Sequence, residues 1–288
     1  VLLISIIIPT YRSWDLLAKC LQSLQNQSLS NCNFEILVVN NDPKDPKPNF
    51  LALPENAKIL TQKRAGSYSA RNLGMAVAEG KLIAFTDSDC IPDKDWLKQG
   101  FDYIQNGFDL VGGKVEFFKE EDGDELTFLF EQTFNFNQKR NVEERGQSIT
   151  ANLFVKKEVI EKVGDFSENL MSGGDFEWTQ KASALGFKMK YGEDALVYHP
   201  ARKRFRDLIS KKKRTSGGMF YRFFENYSVW QKFTFTLNML RPRISLLFRK
   251  DLYLVDKIKL FFAVWYLEWI GIKEMFLLAH KGKAAQRQ

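Results

Sequence analysis

Leu82-Ile83-Ala84-Phe85-Thr86-Asp87-Ser88-Asp89 sets an apolar run directly before two carboxylates. Leu82–Thr86 has the length and continuous apolarity of a strand covered on both faces, as in a parallel sheet. Open parallel sheets bind ligands in the crevice beyond the carboxyl ends of their strands, so Asp87-Ser88-Asp89 is the first place to look for chemistry. In extended backbone the two Asp side chains project to the same side. One then suits a hard divalent cation, Mn2+ or Mg2+, and the other a ribose hydroxyl or a metal-bound water; Asp89 is the expected ligand. The alternative is an acidic cluster that only caps the next helix, because Asp is also favoured at caps and turns.

The surrounding pattern favours the crevice. Leu2–Ile8 reads as a first buried strand, Ser13–Leu24 as a helix, Phe34–Val39 as a second strand and Ala70–Ala78 as a helix closed by Gly80, which gives βαβαβ up to Thr86. Polar residues come after each strand: Pro9-Thr10-Tyr11, Asn40-Asn41-Asp42 and Asp87-Ser88-Asp89. Further on, Leu110–Val115 reads as a strand, Leu126–Phe136 as a helix and Asn141–Ser148 as a polar, mobile loop. Phe176–Leu185 reads as a helix, with short strands after it at Lys188–Tyr191 and Ala195–Tyr198.

The chain has 288 residues, 44% of them hydrophobic, enough for one large α/β domain plus an extension and too apolar for disorder. Cys20, Cys32 and Cys90 are too few and scattered for a disulfide framework or a thiolate metal site, and are expected to be small buried residues in a reducing cytosol. The opening run reads as a strand rather than a signal peptide. The net charge of +7 is concentrated late, with Arg202, Lys203, Arg204, Arg206 and Lys211–Arg214 forming a basic hinge region. Lys257–Ala279 is aromatic and apolar but broken by Glu268, Lys273 and Glu274, whereas a span needs roughly 20 mostly apolar residues, so an interfacial amphipathic helix is expected, with packing on the domain as the alternative. Basic residues beside an aromatic stretch suit a membrane surface better than a groove-reading element, and no nucleic-acid partner is expected. Walker-type glycine loops, Ser-His-Asp order and paired Cys-x-x-Cys elements are missing from the sequence.

Ser5-Ile6-Ile7-Ile8-Pro9-Thr10-Tyr11, Ala70-Arg71-Asn72-Leu73-Gly74 and Phe85-Thr86-Asp87-Ser88-Asp89 stand in the order seen in family 2 glycosyltransferases, and from Leu3 to His199 the chain resembles an inverting enzyme of that family. The resemblance implies a GT-A fold: α/β, with a Rossmann-like, mostly parallel sheet flanked by helices and a C-terminal helical extension. Residues 1–200 would be the catalytic domain, with a donor half of about 1–115 and an acceptor half of about 116–200; 201–288 would be the basic, aromatic extension. The implied partners are a nucleotide-diphosphate sugar and a glycan or lipid-linked acceptor, with peripheral contact at the inner face of a membrane. A nucleotidyltransferase, or a non-catalytic nucleotide- or membrane-binding module, is the rival reading.

The resemblance further implies that Pro9, Thr10 and Tyr11 line the nucleoside pocket, that Arg64 and Arg71 lie near the base or diphosphate, and that Asp87 and Ser88 face the donor. Asn40 stands where the family has an acidic residue. Either its amide alters base preference, or the contact shifts to Asp42, or Asn40-Asn41 form an Asx-type turn. An inverting displacement needs a carboxylate to take the acceptor's proton, and Asp175 in Gly173-Gly174-Asp175-Phe176-Glu177-Trp178 is the candidate, with helix capping as its ordinary alternative. Gly174 replaces an acidic residue of the resembled motif. Glu177 is a weaker base, Trp178 offers a flat face to an acceptor sugar, and Asn152 lies in a stretch resembling the acceptor side. His199 corresponds to a histidine that reaches the metal or diphosphate in some relatives, and Arg202 and Arg204 are candidates for gripping the diphosphate.

Overall fold

The computed structural model describes residues 3–30, 33–134, 136–170, 172–241 and 243–281. Leu2, the expected start of the first strand, and Cys32 lie outside them. In chain order, the first half builds β1 (Ile4–Thr10), α1 (Trp14–Gln25), β2 (Phe34–Asn40), β3 (Ala57–Thr61), α2 (Ser67–Val77), β4 (Leu82–Thr86), β5 (Ile91–Pro92), α3 (Trp96–Gln105) and β6 (Leu110–Phe118). Then come α4 (Glu125–Phe134), α5 (Gln138–Arg145), β7 (Asn152–Lys156), α6 (Lys157–Val163), α7 (Gly174–Ala184), β8 (Met189–Pro200), α8 (Phe205–Arg222), α9 (Val229–Met239) and α10 (Leu254–Lys281).

One sheet runs β3-β2-β1-β4-β7-β6-β8-β5. Its β3-β2-β1-β4 half is parallel, and β7 joins β4 antiparallel with Thr86 opposite Asn152. The uninterrupted apolarity of Ile4–Ile8 and Leu82–Phe85 is explained by helices on both faces: Ile6, Ile8 and Ala84 pack with Leu17, Leu21 and Leu24 of α1, whereas Ile7 meets α2. Gly74 permits that second contact, since a Cβ there would lie 2.6 Å from Ile7 Cγ2. Cys20 and Cys90 are buried free thiols, as their type suggests.

The chain divides into two compact units, one of Val1–Glu116, Phe136–Asn169 and Gly174–Pro200, the other of Phe117–Asn135, Leu170–Gly173 and Ala201–Gln288. In the second, α10 packs on α8 and α4. Among the described residues no helix is long and apolar enough to cross a membrane.

Three expectations need correction. The polar stretch Asn141–Ser148 is mostly helix, because Asn137 accepts from Arg140 N, Gly146 closes the end at φ 58°, and Gln138, Asn141 and Val142 turn inward. The two short strands after Lys188 are one strand, Met189–Pro200. The basic hinge is α8, an ordered helix of 18 residues. Its Lys211 and the preceding Arg202 both pair with the fully buried Glu131, 3.3 and 2.7 Å away, so charges that look like a solvated cluster are in part internal.

Candidate active site

The C-terminal ends of β1, β2 and β4 come together as parallel strands require. Ser13 links the first and third, its hydroxyl 3.1 Å from Thr10 Oγ1 and 2.9 Å from Ser88 Oγ, and Asn41 N donates to Thr10 O at 2.8 Å. Pro9, Thr10, Tyr11, Asp42, Asp87 and Ser88 therefore stand at or just beyond the ends of neighbouring strands. Asn40 forms an Asx-type turn: its Oδ1 accepts from Asp42 N at 2.9 Å, and its Nδ2 donates to the carbonyls of Asp42 and Asp45 at 3.0 and 2.8 Å. Both amide hydrogens are thus committed to the loop, so its shape is what Asn40 contributes. Asp42 faces Arg12, whose Nε donates to it at 2.7 Å.

Asn41, read from the sequence only as a polar strand-end residue or part of an Asx-type turn, is a tether. It donates to the carbonyls of Gln62 and Arg64 and accepts from Gly66 N at 2.7 Å, which joins the end of β2 to the entry of α2. Arg64 turns its guanidinium toward Glu168 at 2.7 Å and is largely exposed, whereas Arg71 is only 4% exposed. The Nη2 of Arg71 pairs with Asp87 Oδ1, its Nε has no hydrogen-bond partner among the described residues, and its guanidinium lies 5.8 Å from the centroid of the Tyr68 ring. A buried guanidinium with an unused N–H beside a strand-end carboxylate is well suited to an anionic ligand.

Asp89 Oδ2 lies 3.6 Å from His199 Nε2, and Cys90 completes a group whose ligand atoms all fall within 4.8 Å of one another. The partners sort themselves chemically. Burial, reinforced by Asp89 and Asp87, pushes the Cys90 thiol well above its ordinary value, so it stays protonated and is a poor ligand for a hard cation. His199 Nδ1 sits 2.7 Å from Pro200 O, which favours the tautomer protonated there and turns the lone pair of Nε2 toward Asp89. A lone pair and a carboxylate facing each other at that distance form a donor pair that fits a divalent cation.

Opposite chemistry gathers at the start of α7. Asp175 Oδ1 accepts from Tyr68 OH at 3.1 Å and from Phe176 N at 3.0 Å, and the Tyr68 hydroxyl itself accepts from Gly174 N at 2.9 Å. Burial raises the Asp175 carboxyl above its usual range, while Arg71 and these hydrogen bonds pull the other way. Tyr68 escaped the sequence reading, although it stands three residues before Arg71 and so shares its helix face. Its ring also accounts for Gly174, since a Cβ at that position would lie 2.8 Å from Tyr68 Cε2.

Two expected acceptor contacts are corrected. Asn152 is fully buried; its Oδ1 accepts from Trp96 Nε1 at 2.9 Å and its Nδ2 donates to Lys114 O and Ala195 O, tying the start of β7 to β6 and β8. Trp178 is a core side chain that donates to Gly164 O and packs 5.0 Å from the Phe166 ring. Neither has a face to offer a sugar. Glu177 points outward from α7 and is exposed. Arg202 is bound to Glu131 through both its backbone N–H and its guanidinium, which leaves it badly disposed to grip a diphosphate.

Residues 5–164 match the pattern described as Glycosyl transferase family 2. Glycosyltransferase AglE of Haloferax volcanii is 36% identical over 221 residues, covering 75% of this chain and 72% of the relative. Mannosyltransferase PcManGT from Pyrobaculum calidifontis, solved in complex with GDP-Man and Mn2+, superposes with a TM-score of 0.59 at 17% identity over 97% of this chain and 76% of that one. S. aureus TarS 1–349 superposes with a TM-score of 0.54 at 18% identity over 98% and 76%. At these identities the two structures speak for the GT-A fold, and the family rests on the sequence match. Since that match takes in more than half of the chain, including all three strand ends of the crevice, the chain belongs to glycosyl transferase family 2 and is a glycosyltransferase that uses a nucleotide-sugar donor.

Proposed function

We propose that the enzyme transfers a sugar, with inversion, from a nucleotide-diphosphate donor to a hydroxyl of a glycan or lipid-linked acceptor. The observation that carries this is the pairing of two unlike carboxylate sites through α2: Asp87 and Asp89 at the end of β4, and Asp175 on α7, with Arg71 and Tyr68 between them. The donor's nucleoside would lie along Pro9, Thr10 and Tyr11, with Asp42 and Ser88 at its edges. Asp89 and His199 would hold Mn2+ or Mg2+, which when bound neutralises charge on the departing diphosphate.

Arg71 would hold the diphosphate from the buried side with the N–H that has no partner among the described residues. Asp175 would accept the acceptor's hydroxyl proton as that oxygen forms its bond to the anomeric carbon. The bond from that carbon to the diphosphate oxygen breaks on the opposite face, and its electron pair leaves with the nucleoside diphosphate. Burial makes Asp175 a stronger base than a solvated carboxylate, while Arg71 and Tyr68 favour its ionised form. We read the basic, aromatic segment 201–288 as the part that meets a lipid-linked or growing polysaccharide acceptor at the inner face of a membrane.

The test is Asp175→Asn, which keeps an acceptor for the Tyr68 hydroxyl. Nucleotide sugars with Mn2+ or Mg2+ should still raise its melting temperature, while sugar transfer falls by about 10³-fold or more. Turnover within a few-fold of the parent enzyme would remove Asp175 as the base.

A further inference from the structure

The second unit treats its tryptophans differently from the first. Trp14, Trp96 and Trp178 are 8%, 0% and 3% exposed, whereas Trp230, Trp265 and Trp269 are 71%, 52% and 47% exposed. The latter three lie on two helices whose exposed residues are largely apolar. On α10, Leu254, Ile258, Phe261, Phe262, Trp265 and Trp269 fall on one stripe and are all exposed. The opposite stripe, Leu260, Val264, Leu267, Gly271, Met275 and Leu278, is buried. Gly271 marks the close approach to α8, since a Cβ there would lie 2.5 Å from Lys212 Cε. Lys212 in turn pairs with Glu268 at 2.6 Å, so α10 is fixed in rotation and its outward stripe is presented by a packed scaffold.

A helix apolar on both faces, one already packed, needs a second apolar environment. On α9, Val229, Trp230 and Phe233 are likewise exposed, and Leu247 and Phe248 add to the same unit's uncovered apolar surface. Charge narrows the choice of environment. Residues 201–288 carry 20 Lys and Arg against 6 Asp and Glu, a net of +14, whereas residues 1–200 carry a net of −7. On α10 the exposed Lys259 and Lys273 flank the aromatic stripe, and Lys273 Nζ lies 5.5 Å from the Trp269 ring centroid. A second copy of the same basic surface would be repelled by it, whereas an anionic headgroup layer attracts it and Trp and Tyr favour the boundary beneath.

We infer that the outward faces of α9 and α10 form a monotopic docking surface for a bilayer rich in anionic phospholipid, with Trp230, Trp265 and Trp269 seated at the headgroup–acyl boundary and the flanking lysines among the headgroups. This rests on the reading of 201–288 as the membrane-meeting segment and specifies its face and its lipid. It is compatible with the lack of a crossing helix among the described residues, since such a surface enters one leaflet only.

The experiment is vesicle flotation of the full chain with phosphatidylglycerol–phosphatidylcholine vesicles and with phosphatidylcholine alone. Tryptophan emission is measured in the same samples, and nucleotide-sugar thermal shift in parallel. Binding to the anionic vesicles with a blue-shifted emission is expected, weakened by salt. Trp265→Glu/Trp269→Glu and Lys259→Glu/Lys273→Glu should each lower it at least tenfold while leaving the donor's thermal shift unchanged. Equal binding of the variants and parent overturns the inference, as does a salt-insensitive preference for phosphatidylcholine. A dimer that the Trp double substitution dissociates, in a chain that ignores vesicles, also overturns it. Failure of every nucleotide sugar to shift the melt, with vesicle binding intact, would instead count against the catalytic reading alone.

Discussion

Replacing Tyr68 by Phe isolates one hydrogen bond in the site, since it removes the hydroxyl and leaves the ring that packs on Phe166 at 5.7 Å and fills the space beside Gly174. The hydroxyl donates to Asp175 Oδ1 and so favours its ionised form. A hydrogen bond to a charged group contributes about 1.5–3 kcal/mol, and for a carboxylate with some access to solvent the lower end applies. At about 1.4 kcal/mol per pKa unit, the Asp175 carboxyl should rise by about one unit. Because the base acts when deprotonated, activity increases with pH through this pKa, so the acid limb of kcat/KM should move up by about one pH unit. The plateau above it should hardly change. The same substitution strands Gly174 N, and thermal melting should record a loss of about 1–3 kcal/mol. A melt that falls while the acid limb stays in place would show that Tyr68 supports the fold only and does not tune the carboxylate.

Asn152→Ala should cost about 2–4 kcal/mol in urea unfolding, because it strands the Trp96 indole N–H and the carbonyls of Lys114 and Ala195, yet nucleotide sugars should still stabilise the variant. Glu131→Gln should cost about 3–5 kcal/mol by the same measurement, since it leaves Arg202 and Lys211 facing each other where no carboxylate remains. Burial, then Arg202, pushes the Lys211 ammonium down to about 7 from 10.5. The unfolded chain therefore binds more protons between those values, and stability should rise with pH across that window. Lys211→Met should flatten this rise, which unfolding at about pH 7 and pH 9 would detect.

The donor side was legible because parallel strands write themselves plainly: Leu82–Thr86 is a strand with the expected bounds, and the polar residues directly after Thr86 fall at its C-terminal end. The acceptor side was less so. Asn152 and Trp178 carry functional groups that suit a sugar, but burial decides their use, and burial results from sheet pairing and helix docking that local spacing does not encode. Tyr68 was missed for the converse reason, since nothing in its neighbourhood along the chain points to Gly174, more than a hundred residues away. The helix at Gln138–Arg145 was hidden by polarity, its inward side being held by the amides of Gln138 and Asn141 with Val142 as its single buried apolar residue.

The fit between Tyr68 and Gly174 constrains the order in which this site could change by descent. Tyr68 is 5% exposed and held between Phe166 and Arg71, so it has little room to swing aside for a new side chain at 174. A lineage exchanging Gly174 for an acidic residue would first have to pass through a smaller residue at 68. The two positions should therefore be inherited as a pair, and a glycine at the one should foretell an aromatic ring at the other.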